Sequence, residues 1–147
     1  MMEKIQSFTV NHLTLLPGIY VSRIDKMDDF SFTTFDLRIT RPNYEPVMDT
    51  CALHTIEHLG ATFFRNKHQD KTMYFGPMGC RTGFYLIYKG NLSVDDVKDD
   101  IIDCFNFILE FEGKVPGASA IECGNYLDIN LDMAKYYARK YLNVINS

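Results

Sequence analysis

Between Phe30 and Ile39 the apolar positions alternate, first as Phe30 and Phe32 and then, one residue out of step, as Phe35, Leu37 and Ile39. Alternation with a period of two predicts a β-strand, and the change of step predicts a bulge or kink within it. Asp36 and Arg38 share the face opposite the later apolar set, where they are either solvated or line a pocket. Arg41 to Pro46 carries two prolines and reads as a loop. The period then changes. At about 100° per residue, Ala52, Ile56, Leu59 and Phe63 gather on one side of a helix, and His54, Glu57, His58, Ala61 and Arg65 on the other. Asp49 or Thr50 can cap its amino end, so this helix has a core face and a chemical face.

Lys67 to Lys71 is polar and turn-like, and Met73 to Phe75 begins a second strand that Gly76-Pro77-Met78-Gly79-Cys80 interrupts. Gly83 to Tyr88 is a buried strand rich in aromatic and β-branched residues, closed by Gly90-Asn91. Ser93 with Asp96 three residues on resembles a capping box. Val94, Val97, Ile101, Phe105, Ile108 and Leu109 then keep a helical period until Gly113, with Cys104 beside that stripe as a small core residue. Leu131, Ala134, Tyr137 or Ala138, and Tyr141 mark a last helix, with Lys135, Arg139 and Lys140 toward its negative end. Strands mixed with three helices, without regular βαβ spacing, predict an α+β fold, an antiparallel sheet packed against helices.

A chain of 147 residues, 46% hydrophobic and 14% aromatic, is long and apolar enough for one domain with its own core, spanning residues 1–147. A formal charge of -4 without a basic run argues against nucleic acid as the main partner and favours a small molecule or protein. Met1 to Val10 holds charge and no long apolar run. No signal peptide or membrane span is expected there, and the cytoplasm is the expected location. Cys51, Cys80, Cys104 and Cys123 are then thiols rather than two disulfides.

The segment His54-Thr55-Ile56-Glu57-His58 carries the chemistry. On a helix, side chains four apart have Cβ atoms about 5–6 Å apart, so both imidazoles can reach one divalent ion with a carboxylate beside them. Two histidines bind an ion weakly, and catalytic sites usually add a third protein ligand. Cys123, in Glu122-Cys123-Gly124-Asn125-Tyr126, is one candidate; Cys51, Glu122, Glu110 and Glu112 compete with it. Cys80, on a glycine-flanked bend, can meet a substrate closely, and Arg81 or another cation beside it would favour a thiolate. His68, between Lys67 and Gln69, reads as solvated. The pentad alone also fits the His-x-x-Glu-His pattern of some metalloproteases, and a metal-dependent sensor without turnover is a third reading.

Four separated motifs add a resemblance. His54-Thr55-Ile56-Glu57-His58-Leu59 with Phe64-Arg65-Asn66, then Pro77-Met78-Gly79-Cys80-Arg81-Thr82-Gly83-Phe84-Tyr85, then Glu122-Cys123-Gly124-Asn125-Tyr126, and Phe35-Asp36-Leu37-Arg38 with Ser7-Phe8-Thr9-Val10-Asn11-His12, resemble the LuxS family of S-ribosylhomocysteine lyases. The resemblance runs from near residue 7 to the final helix. It implies Fe2+ held by His54, His58 and Cys123, with Zn2+ or Co2+ able to substitute, and Glu57 and Cys80 as acid and base groups. It further implies substrate contacts by Ser7, Phe8, His12, Arg38 and Arg65. A homodimer with active sites at the subunit interface follows from the same resemblance, as does cleavage of S-ribosylhomocysteine to homocysteine and 4,5-dihydroxy-2,3-pentanedione, the autoinducer-2 precursor. One segment departs: many relatives have aspartate, isoleucine and serine where this chain has Tyr74, Phe75 and Gly76.

Overall fold

The computed structural model describes all 147 residues. Four strands, β1 (Gly18–Met27), β2 (Phe30–Arg38), β3 (Thr72–Pro77) and β4 (Gly83–Lys89), form one antiparallel sheet in the order β1-β2-β4-β3. Three helices, α1 (Thr50–Lys67), α2 (Val94–Glu110) and α3 (Leu131–Ile145), pack on it and on one another. The architecture is therefore the expected α+β arrangement of an antiparallel sheet against helices. A single 3₁₀ turn at Gln6–Phe8 precedes β1. No helix is long and apolar enough to cross a membrane.

Side-chain alternation decides what the sheet covers. Thr33, Phe35 and Leu37 of β2 and Phe84, Leu86 and Tyr88 of β4 are buried on the helix side, together with Phe75 of β3. Ala52, Ile56, Leu59 and Phe63 of α1, Val97, Ile101, Cys104, Phe105 and Ile108 of α2, and Ala134, Ala138 and Tyr141 of α3 close the other half of the same core. Cys104 is thus an inert core thiol, raised well above its ordinary pKa by burial.

The bulge expected in β2 lies elsewhere. Pairing of β2 with β4 is unbroken from Phe32 to Arg38, whereas the β1–β2 register shifts between Val21 and Arg23. Phe30 and Phe32 lie on the sheet face turned away from the helices, in phase with Asp36 and Arg38. The apparent change of step is two apolar residues on an outer face, not extra backbone. β1 itself left no clear alternation in the sequence, since as an edge strand most of its side chains are exposed and the irregularity at Ser22 breaks its period. β3 runs through Gly76 to Pro77 instead of stopping at Phe75.

Helix ends follow local chemistry. The Asp49 carboxylate accepts from the Ala52 amide at 3.0 Å, and Asp96 accepts from the Ser93 amide at 2.8 Å, a bond that holds the Asp96 carboxyl below its ordinary pKa. The basic residues of α3 do not occupy its last turn. Lys140 is used instead to pair with Glu45, tying the loop before α1 to α3. His68 is not simply solvated either. Its ring packs against Phe63 at 5.9 Å, and its Nε2 lies 3.3 Å from Asp100, which also receives the Tyr88 hydroxyl at 3.0 Å and Lys71 at 3.0 Å. Burial first, and then the Asp100 charge, keep the Tyr88 hydroxyl protonated far above the ordinary tyrosine range.

Two glycines set how closely layers approach. A Cβ on Gly60 of α1 would lie 2.2 Å from the Phe75 ring, and one on Gly83 would lie 2.3 Å from the Leu37 carbonyl oxygen. Phe75 is stacked on Phe84 with centroids 5.1 Å apart and has no free direction of retreat. Gly60→Ala is therefore expected to cost about 1–3 kcal/mol by overpacking, read as a lower urea midpoint at unchanged slope. An unshifted midpoint would show that Phe75 can move.

Burial alone would raise the Glu45 carboxyl, but hydrogen bonds from the Lys140 side chain and the Arg41 amide prevail and hold it below its ordinary 4.5. Its stabilisation is complete above that value and is lost as the pH falls through the lower folded one. Glu45→Gln should destabilise the fold at neutral pH by about 0.5 kcal/mol, the scale of a partly exposed pair. The gap to the parent protein should close in acid, once the pH has fallen through the lowered folded value and both chains carry a neutral side chain. Denaturant melts at both pH values check this.

Candidate functional site

His54 and His58 project from the same side of α1, with ring centroids 4.5 Å apart and planes at 89°. Their Nδ1 atoms both end on backbone carbonyls, that of His54 on Asp128 at 2.9 Å and that of His58 on Pro116 at 2.8 Å. A carbonyl only accepts, so each Nδ1 carries the proton and each Nε2 presents a lone pair. This is the tautomer a metal-ligating imidazole needs, fixed by the main chain. Gly117 makes the Pro116 contact possible: its φ is +75°, and a Cβ there would lie 3.0 Å from His58 Nδ1.

The third donor comes from the loop between α2 and α3. That loop docks on α1 through the Asn130 amide on Thr55 Oγ1 at 2.9 Å, the Thr50 hydroxyl on Asp128 at 3.1 Å, and the His54–Asp128 bond. These bonds carry Cys123 to the paired imidazoles, with Sγ 3.4 Å from His54 Nε2. The Asn125 amide donates to the same sulfur from 3.4 Å and helps fix its position. One ligand atom from each of His54, His58 and Cys123 lies within 4.8 Å of the others.

That donor set fits a divalent ion. Bond lengths of about 2.0–2.1 Å to nitrogen and about 2.3 Å to sulfur put ligand atoms roughly 3.3–3.6 Å apart around a tetrahedral centre, and the His54–Cys123 separation falls in that range. The competing donors do not join the group. Cys51 instead faces Asp49 at 3.5 Å, and burial together with that carboxylate raises its thiol above the ordinary value. Glu110, Glu112 and Glu122 are outside the cluster. Glu57 is half-buried on α1 beside His58.

Cys80 sits in a second place. β3 and β4 are joined by a tight turn in which the Arg81 amide donates to Met78 O and Arg81 takes a φ of +61°. The thiol is exposed at its tip. A cleft of about 420 Å³ opens there, lined by Ser7, Phe8, His12, Arg38, Cys80 and Tyr85, with Pro77 to Gly79 as its rim. Four expected site residues thus meet around the thiol. The cation beside it is Arg38 rather than Arg81, whose guanidinium turns to Met48 O. Linear sequence could not choose between them, because Arg38 arrives from a strand 42 residues away.

Arg38 and Asp36 are only 2% and 6% exposed, joined by two hydrogen bonds of 3.1 and 2.6 Å. Neither is solvated: Arg38 lines the cleft, the less expected of the two roles open to the pair, and Asp36 is buried as its partner. Arg65 does not reach the cleft. Its guanidinium clamps the carbonyls of Thr72 and Met73, both at 2.9 Å, at the start of β3. Tyr85, unnoticed in the sequence as a site residue, pairs across the sheet with Asp36 and with Gly76. Burial first, and then the Asp36 charge, raise its hydroxyl pKa. The departing segment adds Tyr74, whose hydroxyl lies where a Cβ of Gly76 would be, 2.0 Å from that position.

No residue of the His54, His58 and Cys123 group lines the Cys80 cleft. The chain carries two half-built sites, one with metal-binding character and one with a thiol beside a buried guanidinium.

Comparison with known proteins places both halves in one lineage. The family model described as S-ribosylhomocysteinase (LuxS) matches residues 5–147. A Finegoldia magna protein named S-ribosylhomocysteine lyase is 61% identical over 146 residues, covering 99% of this chain and 94% of its own length. A Clostridium beijerinckii protein of the same name is also 61% identical, over 98% of this chain and 92% of its own. One from Phocaeicola vulgatus is 50% identical, over 98% and 91%. Since the match takes in the paired histidines, Cys123 and the turn that carries Cys80, the chain belongs to the S-ribosylhomocysteinase (LuxS) family.

Proposed function

We propose that this protein is a metal-dependent carbon–sulfur lyase that cleaves S-ribosylhomocysteine to homocysteine and 4,5-dihydroxy-2,3-pentanedione. The observation that carries the reading is the convergence of two main-chain-anchored imidazoles and one thiol in a member of this family. His54, His58 and Cys123 hold Fe2+, and the same nitrogen and sulfur donors accept Zn2+ or Co2+. When bound, the ion supplies Lewis-acid polarisation of sugar oxygens.

The C–S bond lies at carbon five of the sugar and breaks easily only once a carbonyl stands at carbon three and the proton at carbon four is acidic. Glu57 and Cys80 are the groups placed to move those protons. In two successive shifts they take a proton from the carbon bearing a hydroxyl and return one to its neighbour, so that the carbonyl migrates from carbon one to carbon three. A last proton leaves carbon four, the C5–S bond breaks, and the homocysteine thiolate departs and is protonated. Ser7, Phe8, His12 and Arg38 contact the substrate from the cleft walls. Arg65 serves the site through its grip on β3. A protease reading gives Cys80 and Arg38 no task.

Because the two half-sites lie apart in one chain, we assign the working unit to a homodimer in which the Cys80 cleft of one protomer faces the metal group of its partner. The exposed apolar residues Ile121 and Leu127, on the loop that bears Cys123, suit burial in such an interface. Four free thiols suit a reducing cytoplasm.

Stripping the ion anaerobically, or replacing His58 by Ala, should lower thiol release from S-ribosylhomocysteine by more than about 100-fold, with metal content falling in parallel. Turnover that survives complete loss of metal would sink the reading. Cys80→Ala and Glu57→Gln should each lose about 10²–10⁴-fold in kcat with metal retained. Mixed dimers of Cys80→Ala with His54→Ala should regain about half of parent turnover, since one of their two shared sites is intact, and an equimolar, randomly reassorted mixture about a quarter. No recovery in verified mixed dimers would place both halves of each site in the same chain.

A further inference from the structure

The Cys80 sulfur has two polar neighbours, and they are not equivalent. Arg38 Nη1 lies 3.9 Å away, and Thr82 Oγ1 lies 3.2 Å away. The same Arg38 Nη1 donates to Thr82 Oγ1 at 2.9 Å. Thr82 is buried, with 4% of its surface exposed. Its oxygen is therefore taken as an acceptor by the guanidinium, and the Cys80 sulfur is the remaining partner its own hydroxyl proton can reach.

Direction is imposed from further back. Asp36 accepts from Arg38 Nε and Nη2, which fixes the plane of the guanidinium and leaves Nη1 for the turn. The main chain of Thr82 is held independently of its side chain, since its carbonyl accepts from the amides of Ile39 at 2.9 Å and Thr40 at 3.0 Å. The hydroxyl is thus delivered to the sulfur by a rigid turn, and its orientation is set by a buried ion pair on the neighbouring strand.

We propose that Thr82 is a positioning residue for the lyase reaction, donating a hydrogen bond from its hydroxyl to the Cys80 sulfur so that the sulfur is held in place and aimed into the cleft. This rests on the reading of Cys80 as a proton-transferring group. The chain of donors runs in one sense, from Arg38 to the Thr82 oxygen and from the Thr82 hydroxyl to sulfur, with Asp36 as its anchor. Thr82 keeps its own proton throughout. Cys80 takes a proton from a substrate carbon and returns it to the adjacent one, so nothing is consumed.

The test compares Thr82→Val, which keeps shape and removes the hydroxyl, with Thr82→Ser, which keeps the hydroxyl. Two readouts are taken on the metal-loaded protein: kcat and KM for S-ribosylhomocysteine, and the rate of iodoacetamide alkylation at Cys80, followed by peptide mass spectrometry at neutral pH. A hydrogen bond to a charged group predicts that Thr82→Val loses about tenfold or more in alkylation rate and in kcat, with KM within about twofold of the parent. Thr82→Ser should recover most of both. If Thr82→Val does not fold, Thr82→Ala takes its place against Thr82→Ser.

Alkylation at the parent rate in a folded variant lacking the hydroxyl would overturn the proposal, as would a serine variant no better than valine. Cys80→Ala separates the two claims. Retained turnover in that variant would defeat the role assigned to Cys80, and with it any catalytic part for Thr82, whereas the alkylation rate reads the hydrogen bond on its own.

Discussion

The three-donor group that anchors the chemistry of this chain depends on two backbone carbonyls, those of Pro116 and Asp128, each accepting a hydrogen bond from a histidine of α1. These bonds act twice. They force the proton onto Nδ1 and so leave both Nε2 atoms as donors to an ion, and they pin both ends of the loop that brings Cys123 into range. A helix with His54 and His58 one turn apart is easily written in sequence. Turning it into a three-donor site requires a long connection between α2 and α3 to pass within hydrogen-bonding distance at two points, with Gly117 allowing one of them through a backbone conformation that other residues adopt only with strain.

The thiol half obeys a comparable economy. The face of β2 turned away from the helices carries Asp36 and Arg38, which would ordinarily be solvated. Here they are buried as an ion pair. Such a pair adds little net stability, because desolvation offsets most of the attraction. What it gives is orientation: a guanidinium with Nε and Nη2 fixed on Asp36 leaves Nη1 for the Met78–Thr82 turn. Gly83 holds the other side of that turn, since its Cα lies so near the Leu37 carbonyl that no side chain fits. The position of Cys80 is therefore set from β2 on both sides, by a charge pair and by direct backbone contact.

Much of this was legible in the sequence because it rests on local rules. The capped helix α1, its apolar and chemical faces, the capping box of α2, the buried strand β4 and the burial of Cys104 all follow from spacing and end chemistry. Non-local features were not legible. β1 is an edge strand whose exposed residues and bulge erase its period. The misplaced bulge in β2 arose because Phe30 and Phe32, apolar residues on an outer face, imitate a change of step. His68 looked solvated from its polar neighbours, yet Asp100, far along the chain, supplies its partner. Residue chemistry left Cys123 level with its competitors, and only the loop's docking separates it from Cys51. Thr82 lies two residues from Cys80 in the same turn, but Arg38 is brought to both by strand pairing, which no linear pattern encodes.

Tyr74, Phe75 and Gly76 are best understood as linked packing facts rather than three independent choices. The Tyr74 ring lies along β3 over Gly76, and any side chain at 76 would meet its hydroxyl, so the tyrosine can hold this position only with a glycine two residues on. Phe75 points the other way, into the core, where its ring occupies the space a Cβ on Gly60 would need and stacks on Phe84. Alternation along one strand thus ties an outer-face exchange to Gly76 and an inner-face exchange to Gly60. Outside, a phenol is laid over Gly76, which pairs with Tyr85; inside, α1 is drawn close to β3. Because α1 also carries His54 and His58, the same three residues bear on the position of that helix and, through the pairing of Gly76 with Tyr85, on a strand that lines the cleft. A change confined to affinity would have needed only the outward-facing residue.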